Sequence, residues 1–482
     1  EYEAVIGLET HIQLNTETKL FCGCKADSWF DPPNTNICPV CTGMPGVLPV
    51  LNKRAVEKGM LLAHAMHAEI QPVSYFDRKN YFYPDLPKGY QISQFDIPLA
   101  KGGYLDLPIP GKKPEEIAYT RRVNIIKLHV EEDAGKTKNI GGKRYIDFNR
   151  CGVPLVEMVT GPDLRTADEA AQYLIRLRQL LRWLGISEGD MERGQLRCDG
   201  NVSIRPKGAD FLNPKTEIKN VNSIDSLRDA IRHEIDRQIR QVEAGGSVEA
   251  WTLEWDEDAQ VLRKMRSKET EADYRYFREP DLLPLHVSEK WRDDVLENFP
   301  ELPLERRQRF VGDYKLSAYD AEILTQDLAL ADYFEAAVGE YAGEPKKIAN
   351  WMINELLHLL SETGAKASEL KVTPAQLAGV IQMVDKGEIN ASAGKLLISE
   401  IQRTGKPAPA LVTELGLGLV SDEDQLRALC TEVIEGSPAQ VESYRSGKVG
   451  LLGWFMGQVM KKSNGKADPA QVRRLLAEML DG

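Results

Sequence analysis

Apolar and polar side chains alternate with a period of two at the start of the chain. Glu9 and His11 lie on one side of residues 2–14. The opposite side is mostly apolar: Tyr2, Ala4, Ile6, Leu8, Ile12 and Leu14. Because successive side chains of a strand point to opposite faces, this pattern predicts a strand with one buried face. Strand-like runs at 89–107 and 120–132, with glycine turns at 102–103, 111 and 141–142, extend the β-rich region over residues 1–160.

Helical periodicity becomes clear after residue 165. Thr166 and Glu169 have the spacing of a capping box, and leucines then repeat every 3.6 residues until Gly185. A strand pattern at 196–205 precedes a second helical stripe at 227–242. Beyond residue 289 the pattern is almost entirely helical, and residues 405–409 have the composition of a linker. We therefore predict the α+β class.

The same pattern divides the chain into three predicted domains. A β-rich domain covers 1–289, an all-α domain covers 290–405, and a helical tail covers 406–482.

Composition narrows the class of protein. The 482 residues are 42% hydrophobic and 28% charged, which is the balance of a soluble globular protein. No run of about 18 apolar residues is present, so we expect no membrane partner. Seven cysteines are too few for a disulfide scaffold, which favours a cytoplasmic location, with an organellar interior as the alternative. The net charge of −12 means that nucleic acid would bind at a local basic patch or through a steric and chemical fit.

Three segments offer metal ligands on predicted strands. Glu9 and His11 share one face of the first strand, and Asp199 belongs to a polar row on the strand at 196–205. At 129–133 alternation groups His129 with Glu131 and places Glu132 on the other side. Oxygen ligands with at most one imidazole suit Mg²⁺ or Mn²⁺ better than Zn²⁺. The expected Mg²⁺ ligands are Glu9, His11, Glu131 or Glu132, Glu192 and Asp199. The alternative is an antiparallel sheet with one solvated face.

Two loops mix cations with aromatic side chains. Residues 76–94 contain Lys79, Tyr81, Tyr83 and Lys88, and a similar mixture recurs at 273–281. Cations bind phosphates and aromatic rings stack on bases, so these loops indicate nucleotide or RNA binding. The alternative is a pair of aromatic loops covering a core. Neither a P-loop nor a nucleophile elbow occurs in the sequence.

Four cysteines form two close pairs. Cys22 and Cys24 are separated by thirteen residues from Cys38 and Cys41. This arrangement is typical of a tetrahedral four-thiolate site, so we predict a structural Zn²⁺ in the loop 20–42. The alternative is four free thiols.

The last part of the chain is locally basic. Between residues 444 and 474 there are seven basic residues and one acid, Asp468. Such a cluster in an acidic chain indicates a contact with a phosphate backbone. Its candidate residues are Arg445, Lys448, Lys461, Lys462 and Lys466. The alternative is a helix bundle with basic loops.

The longest of these motifs together resemble a known family. Residues 7–14, 77–85, 90–94, 131–136, 196–199 and 273–277 resemble the B subunit of the tRNA-dependent amidotransferase. That family converts Glu-tRNA(Gln) or Asp-tRNA(Asn) to the amide form. The resemblance covers essentially the whole chain. It implies a cradle domain with the active site, a helical domain, and a tail similar to the YqeY family that contacts tRNA.

The resemblance also implies a reaction. The family uses ATP to phosphorylate the side-chain carboxylate of the misacylated amino acid, and ammonia then displaces the phosphate. The residues that match its catalytic and Mg²⁺ positions are Glu9, His11, Glu132, Asp199 and Lys79. The positions matched to ATP binding are Lys79, Tyr81, Tyr83, Lys88, Arg197, Asn201 and Ser203. Here the family pattern favours Glu132, whereas alternation favours Glu131, so both remain candidates.

The implied partners are misacylated tRNA, an amidase-type A subunit that supplies ammonia, and a small C subunit. The four cysteines match the zinc-bearing branch of the family. Two other functions remain open: a non-catalytic, zinc-containing RNA-binding adaptor and a metal-dependent nuclease.

Overall fold

The chain divides into two compact units, Glu1–Glu305 and Arg306–Gly482. The computed structural model describes residues 1–113, 116–267, 273–418, 423–463 and 465–481. Within those residues, the named strands all belong to the first unit, and the second unit is built of helices. The mixed architecture confirms the predicted α+β class. The division into three domains remains a prediction.

The first unit alternates strands with a few helices. Its strands are β1 (Tyr2–Gln13), β2 (Glu69–Ile70), β3 (Val73–Ser74), β4 (Asp77–Asn80), β5 (Tyr90–Ser93), β6 (Ala100–Lys101), β7 (Tyr104–Pro110), β8 (Ile117–Glu132), β9 (Lys136–Ile140), β10 (Lys143–Asp147), β11 (Pro154–Thr160), β12 (Leu196–Pro206), β13 (Thr216–Lys219), β14 (Trp251–Asp256), β15 (Val261–Ser267), β16 (Phe277–Arg278) and β17 (Leu285–His286). Its helices are α1 (Lys53–Ala65), α2 (Ala167–Trp183), α3 (Ile224–Glu243) and α4 (Glu289–Leu296). Helix α5 (Pro303–Asp313) begins in the first unit and continues into the second.

The main sheet has ten strands, with β1 near its centre. The order is β15-β14-β13-β12-β1-β11-β8-β6-β2, and β7 pairs with β8. Strand β1 is antiparallel to both neighbours, so that Glu9 lies opposite Asp199 and His11 lies opposite both Arg197 and Glu157. Directly opposed residues of a sheet share a face. The register therefore gathers the polar side chains of several strands on one face.

The other face of the sheet is the core. Ile6, Leu8 and Ile12 are at most 1% exposed and belong to one cluster with leucines of α2 and α3. Burial of each leucine contributes about 1.5–3 kcal/mol, so this face anchors both helices. The alternation predicted for the first strand is confirmed. The apolar residues that α2 and α3 contribute include Leu174, Leu177, Leu181, Leu227 and Ile231.

The predicted capping box of α2 forms only in part. The Thr166 hydroxyl accepts a hydrogen bond from the Glu169 amide at 3.1 Å. The returning carboxylate of Glu169 instead accepts from the amide of Arg165 at 2.6 Å and from Arg121 at 3.0 Å. The carboxylate still binds an N–H group near the helix start, where the helix dipole favours negative charge.

Two predicted elements differ from the structure. The run at 89–107 forms three short strands, β5, β6 and β7. Gly102 and Gly103 have positive φ and make the predicted turn between β6 and β7, whereas the break between β5 and β6 was not predicted. In the segment between β5 and β6, the buried side-chain oxygen of Gln94 accepts hydrogen bonds from the Leu99 and Val130 amides, each at 3.0 Å. These bonds take the place of backbone hydrogen bonds between strands. The predicted linker 405–409 already enters a helix at Ala408, since proline is tolerated in a first helical turn.

The helices of the second unit follow one another with short connections. They are α6 (Ala318–Leu324), α7 (Leu328–Gly339), α8 (Pro345–Trp351), a π-helical turn (Met352–Leu356), α9 (Leu357–Thr363), a 3₁₀ turn (Ala367–Glu369), α10 (Pro374–Asp385), α11 (Ala391–Thr404), α12 (Ala408–Leu415), α13 (Glu423–Glu435), α14 (Pro438–Arg445), α15 (Leu451–Lys462) and α16 (Pro469–Asp481). The last four share a core of their own, with Phe455 and Leu476 fully buried. No helix in the described residues combines the length and hydrophobicity required to cross a membrane.

A charge network joins α5 to α7. The carboxylate of Glu335 accepts from Arg306 at 2.6 Å and from the Tyr314 hydroxyl at 2.8 Å, and Arg309 also binds it. Hydrogen bonds from Arg309, then from Tyr314 and Arg306, lower the pKa of Glu335 to about 2, although burial acts in the opposite direction.

We expect Glu335→Gln to destabilise the helical unit by about 1 kcal/mol, because charged hydrogen bonds are lost at a partly solvated site. A carboxylate whose pKa falls on folding stabilises above its unfolded pKa of about 4.3 and loses that contribution toward pH 2. Thermal unfolding of the full chain at pH 7 and pH 3 tests this: the difference between the proteins should shrink at pH 3. An equal difference at both pH values would contradict it.

Candidate active site

The polar face of the sheet brings two histidines and three carboxylates together. His11 Nε2 lies 3.5 Å from a Glu157 oxygen, 3.8 Å from a Glu131 oxygen and 3.9 Å from a Glu9 oxygen. His129 Nε2 lies 3.0 Å from Glu157 and 3.4 Å from Glu131. We call these five residues the acidic cluster. Glu157 is its centre, because it makes the shortest carboxylate contact with each imidazole.

The sheet register explains why these side chains meet. Glu157 lies on β11 between β1 and β8, directly opposite His11 on one side and His129 on the other. Glu131 follows His129 by two positions, so both point to the same face of β8. The Ser93 hydroxyl of β5 donates to Glu131 at 2.8 Å and fixes that carboxylate. Four strands therefore position the acidic cluster.

Burial and mutual charge shift the ionisation of the cluster. Burial lowers the pKa of His129, but Glu157 and Glu131 outweigh it and raise the pKa to about 9. The same carboxylates raise the pKa of His11 against burial. Burial acts to raise the pKa of Glu157, but His129 and His11 outweigh it and hold that pKa well below its usual range. Burial and Glu157 raise the pKa of Glu9.

The donor set fits a divalent cation. Ligand atoms of Glu9, His11 and Glu157 lie within 4.8 Å of one another, and so do those of His129, Glu131 and Glu157. Carboxylate oxygens with few imidazoles suit Mg²⁺ or Mn²⁺. Because ligands must be deprotonated, binding of a cation there would compete with protonation of the histidines.

Only some of the expected metal ligands lie together in the structure. Glu9, His11 and Glu131 belong to the acidic cluster. Asp199 lies beside Glu9 in the register, but Lys219 binds it at 2.8 Å. Glu132 and Glu192 lie elsewhere.

Glu132 points away from the cluster. Its carboxylate accepts from the Ile92 amide at 3.0 Å and pairs with Lys88. It lines a small cavity of about 220 Å³ beside the cysteine loop. Glu192 is exposed in a turn and lines a separate cavity of about 980 Å³.

Glu157 and His129 were not among the residues predicted as metal ligands. A signal for Glu157 was available, because it is the one charged residue in the apolar run 153–161. A carboxylate at a strand position that is otherwise buried requires a partner. The partner could not be identified, because the pairing of β11 between β1 and β8 is a long-range contact.

The two aromatic loops lie side by side. Strand β16 pairs with β4, and the Asn80 amide donates to the Tyr274 carbonyl at 2.9 Å. Lys79 Nζ lies 4.8 Å from the ring centre of Tyr274 and 6.0 Å from that of Tyr81. Burial acts to lower the pKa of Lys79, but Glu131 and neighbouring groups raise it above its ordinary value. Lys79 is therefore a cation held between the aromatic rings and the acidic cluster.

The other residues matched to ATP binding lie on β12 and in the loop 76–94. Arg197 donates to Asp133 at 3.1 Å and lies opposite His11 in the register. Asn201 and Ser203 share its face of β12, farther along the strand, and Ser203 is buried. Lys88 lies 5.0 Å from the ring centre of Tyr90. Tyr83 is 56% exposed, so it is accessible to a ligand.

The four cysteines of the loop 20–42 converge. Their sulfur atoms all lie within 4.8 Å of one another. A tetrahedral zinc–thiolate site requires sulfurs about 3.8 Å apart, so the donor set fits Zn²⁺. Lys19, which is fully buried, places its Nζ 3.5 Å from Cys41 Sγ. A hydrogen bond from Cys22, together with Lys19, lowers the pKa of Cys41 to about 4 against burial.

The basic residues of the tail lie on the surface of its helices. Arg445, Lys448, Lys461 and Lys462 are exposed, and Lys466 is partly exposed. Two are engaged within the tail, since Arg445 donates to the Leu480 carbonyl at 3.2 Å and Lys462 pairs with Glu432. Asn464, inside the basic segment 461–466, lies outside the described residues.

Comparisons with known proteins cover nearly the whole chain. The model of the "GatB/GatE catalytic domain" matches residues 4–293, and the model of the "GatB domain" matches 332–480. Proteins described as the B subunit of an aspartyl/glutamyl-tRNA(Asn/Gln) amidotransferase are similar over their full length. The protein from Persephonella marina is 48% identical over 480 residues, covering 100% of both chains. Those from Thermodesulfovibrio yellowstonii and Myxococcus xanthus are 48% and 47% identical, covering 100% of this chain and 99% of each relative.

Proposed function

The chain belongs to the family of tRNA-dependent amidotransferase B subunits, and we propose that its polar sheet face is where the misacylated amino acid is activated and amidated. The reaction has two steps. ATP transfers its γ-phosphoryl group to the side-chain carboxylate of the esterified Glu or Asp, and ADP leaves. Ammonia then attacks the carbonyl carbon of the acyl phosphate, inorganic phosphate leaves, and a proton is lost from the new amide nitrogen.

One observation carries the proposal: the acidic cluster and Lys79 converge on a single face of the sheet. Glu9, His11, Glu131 and Glu157 supply ligands of the type that Mg²⁺ prefers. Lys79 supplies a partly buried cation on the same side, with Glu131 as a charged neighbour. Phosphoryl transfer depends mainly on positioning and on offsetting negative charge, so a face of this kind suits it.

The residues of the chain have distinct proposed tasks. Lys79 binds an anionic oxygen of the nucleotide or of the acyl phosphate. The ring of Tyr274 and the neighbouring aromatic side chains hold that cation in place and exclude water. Glu157 orients His11 and His129 through its contacts with both imidazoles. A divalent cation held by the acidic cluster would offset the charge of the transferring phosphoryl group.

The remaining parts are proposed to support this site. The cysteine loop holds a structural Zn²⁺, and the basic tail residues contact tRNA. An amidase-type subunit supplies ammonia, and a small third subunit completes the complex. The names of the relatives support the tRNA part of this proposal, because they include both aspartyl-tRNA and glutamyl-tRNA.

Reconstitution with the two partner subunits tests the proposed function. With Glu-tRNA(Gln) or Asp-tRNA(Asn), the complex should form the amide product only when both ATP and glutamine are supplied, with one ATP consumed per amide. Labelled aminoacyl-tRNA separated after deacylation measures the product.

Two outcomes would contradict this proposal. Binding of tRNA without any amide product would favour an RNA-binding adaptor. Cleavage of tRNA with Mg²⁺ and no ATP requirement would favour a nuclease.

A further inference from the structure

Strands β9 and β10 form a two-stranded hairpin that is unusually basic. Its sequence contains Lys136, Lys138, Lys143 and Arg144, and no acidic residue occurs from 134 to 146. The chain as a whole has a charge of −12, so this is a local reversal. Among the described residues, no carboxylate lies within ion-pair distance of Lys138, Lys143 or Arg144. These cations are available to an external anion.

The register of the hairpin sorts its side chains onto two faces. Tyr145 lies opposite Lys138, and Lys143 lies opposite Ile140. Opposed residues share a face, and so do residues two positions apart on one strand. The side chains of Lys138, Ile140, Lys143 and Tyr145 therefore lie on the same face of the hairpin. Tyr145 is 52% exposed and Ile140 is 60% exposed. An exposed aromatic ring between two lysines fits the bases and phosphates of a nucleic acid.

A second aromatic residue lies beside the hairpin. Trp29, on the cysteine loop, is 43% exposed. Lys136 Nζ lies 4.3 Å from its ring centre, and the Arg193 guanidinium lies 5.1 Å from it. These two cations hold the indole at the surface, where part of it remains open. Trp29 and the hairpin therefore form one cationic and aromatic surface, although they come from distant parts of the sequence.

This surface leads to the candidate active site. Trp29, Lys136 and Lys138 line the cavity of about 980 Å³, and Arg197 lines the same cavity. Arg197 lies opposite His11, a member of the acidic cluster. A ligand lying along the cavity thus contacts the hairpin at one end and approaches the acidic cluster at the other.

We propose that the β9–β10 hairpin and Trp29 bind the single-stranded 3′ end of the tRNA whose amino acid is modified. Lys138 and Lys143 contact phosphates, while Trp29 and Tyr145 stack on bases. This inference rests on the proposed function, because that function requires an esterified 3′ end to reach the acidic cluster. RNA is favoured over an acidic protein, since alternating cations and aromatic rings recognise phosphates and bases together.

The double variant Lys138→Ala/Lys143→Ala tests the phosphate contacts. Affinity of the assembled complex for deacylated tRNA is measured by fluorescence anisotropy between about 50 and about 200 mM salt. We expect affinity to fall about tenfold at the lower salt concentration. The slope of log affinity against log salt should decrease by about 1.4, at about 0.7 for each single-strand phosphate contact. The matched control is Lys112→Ala/Lys113→Ala, which removes the same charge from an exposed turn after β7.

Trp29→Ala and Trp29→Phe test stacking. The alanine variant should bind tRNA about tenfold more weakly, whereas the phenylalanine variant should retain most of the affinity. Wild type should also bind more weakly to a tRNA that lacks its 3′ single-stranded nucleotides. The affinity of the variants should fall little further when those nucleotides are removed, because the contact is already lost.

Several outcomes would overturn the inference. Normal tRNA affinity of both lysine and tryptophan variants would do so, as would an equal loss in the lysine control. Failure of the variants to assemble with the partner subunits, with tRNA binding intact, would identify the surface as a protein interface instead. If these results accompany normal amide formation by wild type, the proposed function stands and only this inference fails. Absence of amide formation by wild type would instead reject the proposed function.

Discussion

Replacing Glu9 by glutamine is expected to lower ATP-dependent amidation by about 10³-fold, with tRNA affinity unchanged within about twofold. The variant keeps the size of the side chain but removes a charged oxygen from the acidic cluster, 3.9 Å from His11. Stabilisation of a phosphoryl group by a bound cation is worth several kcal/mol, and about 4 kcal/mol corresponds to 10³ in rate. Amide formation in the reconstituted complex, at saturating tRNA, measures the effect.

Glu3→Gln is the matched control for this variant. Glu3 lies on the same strand and, six residues away, on the same face, but its carboxylate binds Arg205 at 2.6 Å instead of the cluster. Glu3→Gln should leave the amidation rate within about twofold of wild type. Partial recovery of Glu9→Gln at raised Mg²⁺ concentration is also expected, since a missing ligand weakens binding. Unchanged activity of Glu9→Gln would contradict the assignment of the acidic cluster to catalysis.

Local patterns in the sequence were sufficient to place much of this site. The alternation of β1 put Glu9 and His11 opposite the buried Ile6 and Leu8, and the structure has that arrangement. Alternation along β8 also separated Glu131 from Glu132, and the two carboxylates do point to different partners. Such inferences succeed because the side-chain period of a strand is fixed by backbone geometry.

Contacts between distant segments could not be inferred in this way. Glu157 meets His11 across 146 positions of sequence, and only the pairing of β11 with β1 brings them together. The same applies to the two aromatic loops, whose similarity was visible but whose pairing through β4 and β16 was not. A strand pattern indicates which face a residue occupies, but not which strand lies beside it.

The four cysteines show the complementary case, in which spacing alone was specific. Two close pairs within twenty residues require only a local loop to converge, and their sulfurs do lie within 4.8 Å of one another. The buried lysine beside them was not foreseen. Lys19 donates to the Asn36 carbonyl at 2.9 Å and lies against Cys41, so its charge offsets part of the negative charge that thiolates introduce.

Cys38→Ser is therefore expected to reduce bound zinc from about one equivalent per chain to nearly none. A hydroxyl is a poor replacement for a thiolate, and folding of a structural zinc site is coupled to metal binding. Without the metal, the loop 20–42 should be cleaved more readily by protease, at sites around Trp29 and Phe30. Cys430→Ser is the control, since that buried thiol lies in the core of the last four helices, outside the cluster.

Elemental analysis of the full chain measures bound zinc, and limited proteolysis measures protection of the loop 20–42. Both follow zinc binding independently of the amidation rate. Zinc should also be released from wild type as the pH falls, because protons compete for the thiolates. The loop borders the small cavity that contains Lys88 and Glu132, so loss of zinc should lower amidation less than Glu9→Gln does. Full zinc occupancy in Cys38→Ser, or equal zinc loss in Cys430→Ser, would contradict a four-thiolate site. Such a result would leave the convergence of the four sulfurs to be explained by thiol hydrogen bonds alone.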